Sequence, residues 1–439
     1  MKSHLFYQTR DRKPLLDRAD GIYMWDVTGK RYIDGSSGAM VSNIGHSNKN
    51  VLDAMKKQME KSTFGYRLHF ENEPAEQLAR KVSELSPDGH EKVFFVSGGS
   101  EAVESAIKLA RQYAYAKGDN KKSKVISRSP SYHGATFGAL ALTSYAPLND
   151  PFNAMTMDMP HIPSPTCYLD RDNFTLQERG LKYAETLKEK IIEEGPENIL
   201  AFIMEPIGGA STGALVAPDG YYGRIRDICD EFDIFLIYDE VMTGVGRTGK
   251  FLAAEHWTIN PDIIATAKGF GAGYVPLGAM TAKQNIVDTV LDAGGFQHGY
   301  TYAGNPIACA VGIAVIDEIY QNNLMENTTL MGARLIDGLE ALKDKYNFIG
   351  DVRGKGLLLA FEFVADCETM EPLPAEKNAQ FKFVNLAYQK GLIIYSRRTR
   401  MGNKGDHFLV CPPMIINSDQ VDDILSILDD CLSLYSKEL

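Results

Sequence analysis

Five short, continuous apolar runs, separated by longer amphipathic stretches, constrain the fold of this chain more than any other feature. The runs lie in KVFFVS, KVISRS, ILAFIMEP, IFLIYDEV and DIIATAK, between about residues 65 and 310. Stretches such as EAVESAIKLARQYA and YYGRIRDICDEF alternate with them and have a helical spacing of apolar residues. Because strands that are apolar without alternation are buried on both faces, the pattern predicts an α/β fold with a mainly parallel sheet sandwiched by helices.

The segments on either side of this region have a different pattern. Near the start, GIYMWDVTGKRYIDG alternates apolar and polar residues around Thr28-Gly29, which predicts a hairpin with one buried face. Further on, long helical patterns precede a second predicted hairpin in DVRGKGLLLAFEFV and a last helix with Ser418 as its N-cap. We predict a smaller α+β domain built from residues 1–60 and 319–439, and a large domain over 61–318.

Composition and charge narrow the class of protein. The formal net charge is -11 and no block of Lys or Arg forms a cationic stripe, which argues against a nucleic-acid partner. The opening MKSHLFYQTRDRK lacks the apolar region of a signal peptide, and no run reaches the roughly 20 apolar residues of a membrane span, so we expect a cytoplasmic protein without a membrane partner. The 6 cysteines include no C-x-x-C, and no H-E-x-x-H is present, so neither a metal site nor a disulfide framework is indicated.

Polar or small residues follow each apolar run, where the predicted strand ends. They are Gly98-Gly99-Ser100, Ser131-Tyr132-His133-Gly134, Glu205, Asp239-Glu240 and Lys268-Gly269. Ligands of open parallel sheets bind outside the carboxyl ends of the strands. The sequence therefore predicts a binding site along this one edge of the sheet.

Three of these residues have chemistry that fits one cofactor. The turn before EAVESAIKLA offers free backbone N–H groups to an anion, the alternative being that Ser100 is only an N-cap. Lys268 follows an apolar strand and precedes GFGAG, which suits a desolvated nucleophilic amine, the alternative being a lysine that reaches solvent. Asp239 either caps a loop, pairs with an arginine such as Arg247, or binds a ligand. Together an anion cradle, an amine and a carboxylate are what pyridoxal phosphate requires.

The glycine-rich stretch GVGRTG at residues 244–249 fits G-x-G-x-x-G and raises a competing interpretation, an NAD-dependent dehydrogenase. In a dinucleotide-binding fingerprint the strand runs directly into the first glycine, and an acidic residue follows about 20 positions later. Here Met242-Thr243 intervene after the strand, and Asp262 comes too soon after Gly249. We therefore interpret this stretch as a structural turn.

Six segments, in order, resemble the signature segments of class III (ω-type) aminotransferases of the fold-type I pyridoxal-phosphate superfamily. They are SGGSEAVESAIKLAR, SYHGAT, EPIGGASTG, YDEVMTGVGRTG, ATAKGFGAGYVPLGAM and HGYTYAGNP, and the similarity extends from the first hairpin to VCPPMIIN. The resemblance implies that Lys268 forms the Schiff base with pyridoxal 5'-phosphate and that Asp239 partners its pyridine nitrogen. It implies that Glu205 lies beside the cofactor and braces Asp239 or a neighbouring polar group.

The resemblance implies the remaining cofactor contacts as well. Gly99 and Ser100 would contact the phosphate, Tyr132 would stack on one face of the ring, and Val241 would contact the other face. In the family the residue equivalent to Thr301 reaches the phosphate of the adjacent subunit. The resemblance therefore implies a homodimer with shared active sites.

The substrates implied are a small-molecule amine donor and a keto acid acceptor, used in a ping-pong cycle. Ornithine- and GABA-type members resemble EPIQGEAG, in which a Glu pairs with a substrate-reading Arg, whereas this chain has Ala210 there. This departure favours a primary amine or ω-amino acid as donor and pyruvate as acceptor. A 2-oxoglutarate-dependent aminotransferase, another enzyme of the fold such as a mutase, racemase or decarboxylase, and a catalytically silent binding protein are the alternatives.

Two substrate contacts are predicted from the same resemblance. A mobile arginine before the Pro-Pro often holds the substrate carboxylate, and YSRRTRMGNKGDHFLVCPP offers Arg397, Arg398 and Arg400. We select Arg398, although a solvated basic loop is the alternative for each of them. Met40 falls where some relatives have a bulky aromatic wall, which implies a wider or differently shaped amine site.

Overall fold

The computed structural model describes residues 3–439. Its strands are β1 Leu16–Asp20, β2 Tyr23–Asp26, β3 Arg31–Asp34, β4 Lys92–Val96, β5 Lys124–Ser129, β6 His161–Pro163, β7 Ile199–Met204, β8 Phe235–Asp239, β9 Ile263–Thr266, β10 Gly278–Ala282, β11 Ile349–Lys355, β12 Leu358–Asp366, β13 Glu371–Pro372, β14 Leu392–Ile393, β15 Tyr395–Arg400 and β16 Lys404–Val410. Its helices are α1 Ser37–Met40, α2 Lys49–Lys61, α3 Glu73–Glu84, α4 Gly99–Ala116, α5 Phe137–Leu142, α6 Ala146–Asn149, α7 Leu176–Glu194, α8 Tyr221–Glu231, α9 Gln284–Asp292, α10 Pro306–Gln321, α11 Leu324–Lys345, α12 Ala379–Gln389 and α13 Ser418–Tyr435. Over this range no helix is long and apolar enough to cross a membrane.

The largest sheet has seven strands in the order β4-β10-β9-β8-β7-β5-β6. The five predicted strands, β4, β5, β7, β8 and β9, all run in the same direction, which confirms the mainly parallel sheet. The short edge strand β6 and the antiparallel strand β10 are additions that the sequence did not reveal. Strand β10 has the sequence GAMTA, whose small residues give little strand signal.

Helices cover both faces of this sheet, as the unalternating apolar runs predicted. All six residues of β7 are buried. Alternate strand residues face opposite layers: Ile203 and Ile237 pack with the α4 and α9 side, whereas Phe202 and Leu236 pack with α7 and α8. Burial of apolar surface on two faces stabilises the sheet. Most polar side chains of these strands consequently lie at or near the strand ends, and Ser127 and Arg128 of β5 are buried exceptions.

Two smaller sheets lie outside the large one. The first has the order β1-β2-β3-β14, with β14 parallel to β3, and the second has the order β11-β12-β16-β15. Both predicted hairpins are confirmed, as β2 pairs antiparallel with β3 and β11 with β12. The strand pair β3 and β14 joins the two terminal segments of the chain. The domain boundaries after residues 60 and 318 stay a prediction.

The start of the last helix differs from the prediction in one detail. Asn417, not Ser418, is the N-cap: its side chain accepts a hydrogen bond from the backbone N–H of Gln420 at 2.9 Å. The Gln420 side chain in turn accepts from the Asn417 backbone N–H at 3.0 Å. The prediction of Ser418 as N-cap was wrong because Asn and Ser are equally good caps and two such residues are adjacent here.

Arg247, from the glycine-rich stretch, connects segments that are distant in the sequence. Its fully buried guanidinium donates to the carbonyl of Pro412 at 2.6 Å, to Asn43 Oδ1 at 2.7 Å and to Ser37 Oγ at 3.0 Å. Within residues 3–439 no carboxylate forms an ion pair with it. The left-handed backbone of Gly246, at φ +87°, supports the turn. Arg247 therefore links the glycine-rich stretch to the segments around residues 37–43 and 412. Such a structural role agrees with the predicted turn.

Replacing Arg247 with Met should lower the free energy of unfolding by roughly 3 kcal/mol or more, because several buried acceptors would lose their donor at once. The measurement is the midpoint of thermal or urea unfolding of the purified variant. Arg334→Met is the matched control, since it removes an arginine from a half-exposed ion pair with Asp422 and should cost less than about 1 kcal/mol. Equal losses for the two variants would contradict the structural role of Arg247.

Candidate active site

The carboxyl ends of β4, β5, β7, β8 and β9 meet at one edge of the large sheet. The residues predicted from the sequence follow these ends, and contacts between them show that the fold brings them together. The Asp239 carboxylate touches His133, a Cβ on Gly99 would touch Val241, and the charges of Asp239 and Glu205 both act on Lys268. The site is therefore built from loops that are far apart in the sequence.

The amino terminus of α4 offers unpaired backbone donors. Its N-cap, Gly98, is extended and makes no side-chain cap hydrogen bond. Ser100 Oγ accepts a hydrogen bond from the Ala135 backbone N–H at 3.0 Å, so the serine hydroxyl still has its own hydrogen to donate. A helix amino terminus with free N–H groups and a partial positive charge favours an anion. The turn at Gly99 and Ser100 has the chemistry of a phosphate cradle.

Lys268 begins a short 3-10 turn directly after β9. Its φ of 49° lies in the left-handed region, which costs a non-glycine residue on the order of 1–3 kcal/mol and occurs mostly at functional sites. Burial lowers the pKa of the amine below its ordinary value, and the carboxylates of Asp239 and Glu205 oppose that shift. Among the described residues none forms a hydrogen bond with the Lys268 amine. The strained backbone thus presents a desolvated, unengaged nucleophile.

Asp239 ends β8 and is held from two sides. Its Oδ1 accepts from the Val241 backbone N–H at 3.0 Å, and its Oδ2 lies 2.8 Å from His133 Nδ1. His133 is buried, and its Nε2 has no hydrogen-bond partner in the part of the chain that the structure describes. The sequence did not assign a role to His133. Its place beside Tyr132, just after β5, was the available signal.

Val241 lies close to Gly99 at the start of α4, and Tyr132 lies in the loop after β5. A Cβ built on Gly99 would lie 2.8 Å from Val241 Cγ1, so only glycine allows the two loops to come this close. Tyr132 is half-buried at 39% exposure. Burial raises the pKa of Tyr132, with smaller contributions from Tyr395 and Asp239. Tyr132 is therefore within electrostatic range of the Asp239 carboxylate.

Glu205 follows β7 and is almost completely buried. Its Oε1 accepts from the Gly209 backbone N–H at 3.1 Å, and its Oε2 lies 3.6 Å from Arg128 Nη2. Burial raises the pKa of Glu205, and the positive charge of Arg128 opposes that rise. The residue contacts the sheet interior and its own loop, and its charge acts on Lys268.

The hairpin of β15 and β16 separates the three candidate arginines onto two faces. Arg397 is paired across the hairpin with His407, and its guanidinium lies 4.8 Å from the centre of the Tyr395 ring. Arg397 also opposes the rise in the pKa of Tyr132, which places it on the side of the site. Within residues 3–439 no carboxylate forms an ion pair with Arg397. It is therefore available to a ligand.

Arg398, the residue selected from the sequence, projects to the other face, because side chains alternate along a strand. Its Nε donates to Oδ1 of the buried Asp406 at 2.8 Å, directly across the hairpin. The Arg400 side chain donates to the Met370 carbonyl. The charge of Arg398 is thus already paired with a carboxylate, and its role in reading a substrate carboxylate stays a prediction. Which face each arginine occupies depends on the register of a hairpin that the sequence could not align.

Met40 and Thr301 differ in their burial. Met40 is 2% exposed and packs in an apolar cluster with Met242 and Leu409, with Ala210 and Tyr395 at its border. Its φ of 57° is left-handed. Thr301 is exposed in the loop before α10. A contact of Thr301 with an adjacent subunit stays a prediction.

Comparison with known proteins identifies the family. The family model described as aminotransferase class-III matches residues 7–432. The chain is 37% identical to "Uncharacterized aminotransferase YodT" of Bacillus subtilis, over 97% of this chain and 96% of that protein. It is 32% identical to a putrescine–pyruvate aminotransferase of Pseudomonas aeruginosa, over 95% and 90% of the two chains. The chain belongs to the class III aminotransferases.

A solved structure agrees with this assignment. The amine transaminase of an uncultivated Pseudomonas species, in its pyridoxal-phosphate-bound form, superposes with a TM-score of 0.92 at 31% identity, over 99% of both chains. Class III aminotransferases use pyridoxal phosphate, so the protein is a pyridoxal-phosphate-dependent aminotransferase of fold type I. The predicted fold class, cofactor and enzyme class are confirmed. The dehydrogenase and the silent binding protein are excluded.

Glu240, next to Asp239, faces away from the site. Its fully buried carboxylate accepts from the backbone N–H groups of Ala253 at 3.0 Å and Ala254 at 2.8 Å, and from the Thr243 hydroxyl. Burial raises the pKa of Glu240 to about 7, although these hydrogen bonds oppose the shift. The residue holds the loop after β8 while Asp239 faces the ligand.

The raised pKa of Glu240 predicts a pH dependence of stability. A carboxyl whose pKa is higher in the folded than in the unfolded protein stabilises the fold at low pH, and this contribution disappears as the pH rises through the folded value. For Glu240 the loss should be on the order of 3 kcal/mol between pH 4.5 and about 7. The difference in unfolding free energy between wild type and Glu240→Gln should shift by this amount over that range. Parallel pH curves for the two proteins would contradict the prediction.

Proposed function

We propose that this enzyme moves an amino group from a primary amine or ω-amino acid to a keto acid, with pyruvate as the favoured acceptor, in a ping-pong cycle that depends on Lys268. The observation that carries the proposal is the desolvated, unengaged Lys268 amine beside the Asp239 carboxylate at neighbouring strand ends. Such an amine is a nucleophile at neutral pH. An alternative enzyme of the same fold, a mutase, racemase or decarboxylase, would not need two substrates in turn.

The residues present fit pyridoxal phosphate. The turn at Gly99 and Ser100 would hold the phosphate, because its N–H groups and the Ser100 hydroxyl are free to donate. Asp239, fixed by His133, would accept from the pyridine nitrogen. Pyridoxal phosphate supplies an electron sink when bound. Tyr132 and Val241 would cover its two faces.

Lys268 has two tasks in this proposal. Its Nζ would hold the cofactor, and the lowered pKa leaves more of the amine neutral for that attachment. The same Nζ, when free, would move a proton as general base and general acid. Asp239 and Glu205 oppose this fall in the pKa, which favours the protonated amine.

The acceptor preference rests on the loop after Glu205. Ala210 leaves no carboxylate in this loop to engage Arg397, so the arginine is free for a substrate carboxylate. Arg397 lies beside the Tyr395 ring, and Tyr395 borders the apolar cluster that contains Met40. We propose that this arrangement suits a small keto acid. The related putrescine–pyruvate aminotransferase of Pseudomonas aeruginosa, by its name, uses pyruvate. We propose Arg397 in place of Arg398 for this task.

A second copy of the chain completes the proposed site. Thr301 lies exposed in a loop beside α4, where His298 contacts Ser105 at 3.0 Å. A threonine in this position could donate to the phosphate held by a neighbouring subunit. The proposed active unit is therefore a homodimer.

The first test is Lys268→Ala. Borohydride reduction of the wild-type holoenzyme followed by peptide mass spectrometry should find the cofactor mass on the peptide that contains Lys268. The alanine variant should show no such modified peptide and should lose transamination, by 10³-fold or more in kcat. The fold should be retained, as judged by its melting temperature. A modified peptide elsewhere in the chain, or an active alanine variant, would refute the role of Lys268.

The second test separates the two arginines. Arg397→Ala should raise the KM for pyruvate by about 10- to 100-fold, because a charge-assisted contact is worth roughly 1.5–3 kcal/mol. Arg398→Ala is the matched control: it removes the Asp406 ion pair and should destabilise the hairpin while leaving that KM within about 3-fold. A panel of pyruvate, 2-oxoglutarate and an uncharged aldehyde gives the acceptor class. A 2-oxoglutarate preference would overturn the pyruvate assignment.

A further inference from the structure

A buried polar cluster forms around Glu362, and none of the roles proposed above uses it. Glu362, on β12, is completely buried. Its Oε2 accepts from Arg353 Nη2 at 2.9 Å and from the Tyr168 hydroxyl at 2.8 Å, and its Oε1 accepts from Thr399 Oγ1 at 3.0 Å. One carboxylate thus receives donors from three separate segments of the chain.

Arg353 extends this cluster to the loop that contains Ala210. The same Nη2 donates to the Thr212 carbonyl at 2.9 Å, and Nη1 donates to Asp351 Oδ2 at 2.8 Å. The contact with the loop is close: a Cβ on Gly213 would lie 2.8 Å from Arg353 Nη2. The second half of this loop, which contains Thr212 and Gly213, is therefore held against Arg353.

The cluster also reaches the strand that carries Arg397. Thr399 lies two residues after Arg397 on β15, so both side chains project to the same face. His407, opposite Arg397, lies with Nε2 2.9 Å from the Ala210 carbonyl. Burial lowers the pKa of His407 to about 3, so it is neutral and can donate to that carbonyl. The face of β15 that bears Arg397 is thereby fixed to the Ala210 loop.

We propose that Glu362 and Arg353 act as a positioning pair that sets the distance between Arg397 and the Ala210 loop, and so sets the affinity of the enzyme for carboxylate-bearing substrates. The inference rests on the proposed role of Arg397. A buried ion pair is in general a poor source of net stability, because desolvation offsets most of the attraction. Its value here is geometric: a displacement of the order of 1 Å in a substrate-positioning group can change rates by about 100-fold.

The test is Glu362→Gln in the holoenzyme. Glutamine keeps the shape but removes the negative charge that faces Arg353 Nη2, while Asp351 still pairs with Nη1. The KM for pyruvate should rise on the order of 10-fold, while kcat and the KM for an uncharged aldehyde stay within about 2-fold. Calorimetric binding of propionate, an unreactive carboxylate, should weaken by a similar factor. Asp429→Asn is the control, since it removes an exposed ion pair with Lys345 in the same part of the chain and should change none of these values.

A double-variant cycle decides whether Glu362 acts through Arg397. In Arg397→Ala, the further change Glu362→Gln should not raise the KM for pyruvate again. A full additional rise, or an equal effect on the aldehyde, would overturn the inference. If Glu362→Gln fails to fold, Tyr168→Phe removes one donor only, and an unchanged KM for pyruvate in that variant would also overturn it. Absence of transamination in the wild type would instead refute the proposed function, whereas propionate binding would still test the positioning pair.

Discussion

Burial of both faces of the large sheet is the constraint on which the rest of the structure depends. Every residue of β7 is inaccessible, and residues of its neighbours alternate between two helical layers. A charged side chain within such a strand would have to be desolvated at a cost of several kcal/mol. The polar residues are therefore placed where the strands end, and because the strands are parallel, those ends lie on one edge. The clustering of Lys268, Asp239 and Glu205 follows from this geometry.

The adjacent carboxylates Asp239 and Glu240, at the end of β8, have different surroundings and different hydrogen-bond partners. Asp239 meets an imidazole and a single backbone N–H. Glu240, one residue later, points to the opposite side, where two backbone N–H groups and a hydroxyl bind it. The same functional group thus supports loop structure at Glu240, whereas the role proposed for Asp239 is to hold the cofactor. The direction of the chain as it leaves β8 decides which side of the loop each of the two carboxylates faces.

Sequence reasoning succeeded where a residue's place depends on local pattern. The buried strands, the two hairpins and the residues at the strand ends could all be predicted, because apolar runs and turn residues are local signals. It failed where the place depends on three-dimensional pairing. Arg397 and Arg398 are adjacent in sequence, and only the register between β15 and β16 shows that one faces Tyr395 and the other Asp406. His133 was missed because nothing in SYHGAT indicates that its ring meets Asp239, and β10 because GAMTA has few residues typical of strands.

The pairing of β3 with β14 has a consequence for synthesis of the chain. Ile33 aligns with Leu392, so β3 finds this neighbour only after all the strands of the large sheet, β4 to β10, have been synthesised. Until then the edge of β3 is open to other strands. The large sheet contains no strand from either terminus and has no such dependence. The large sheet can therefore form before β3 and β14 pair.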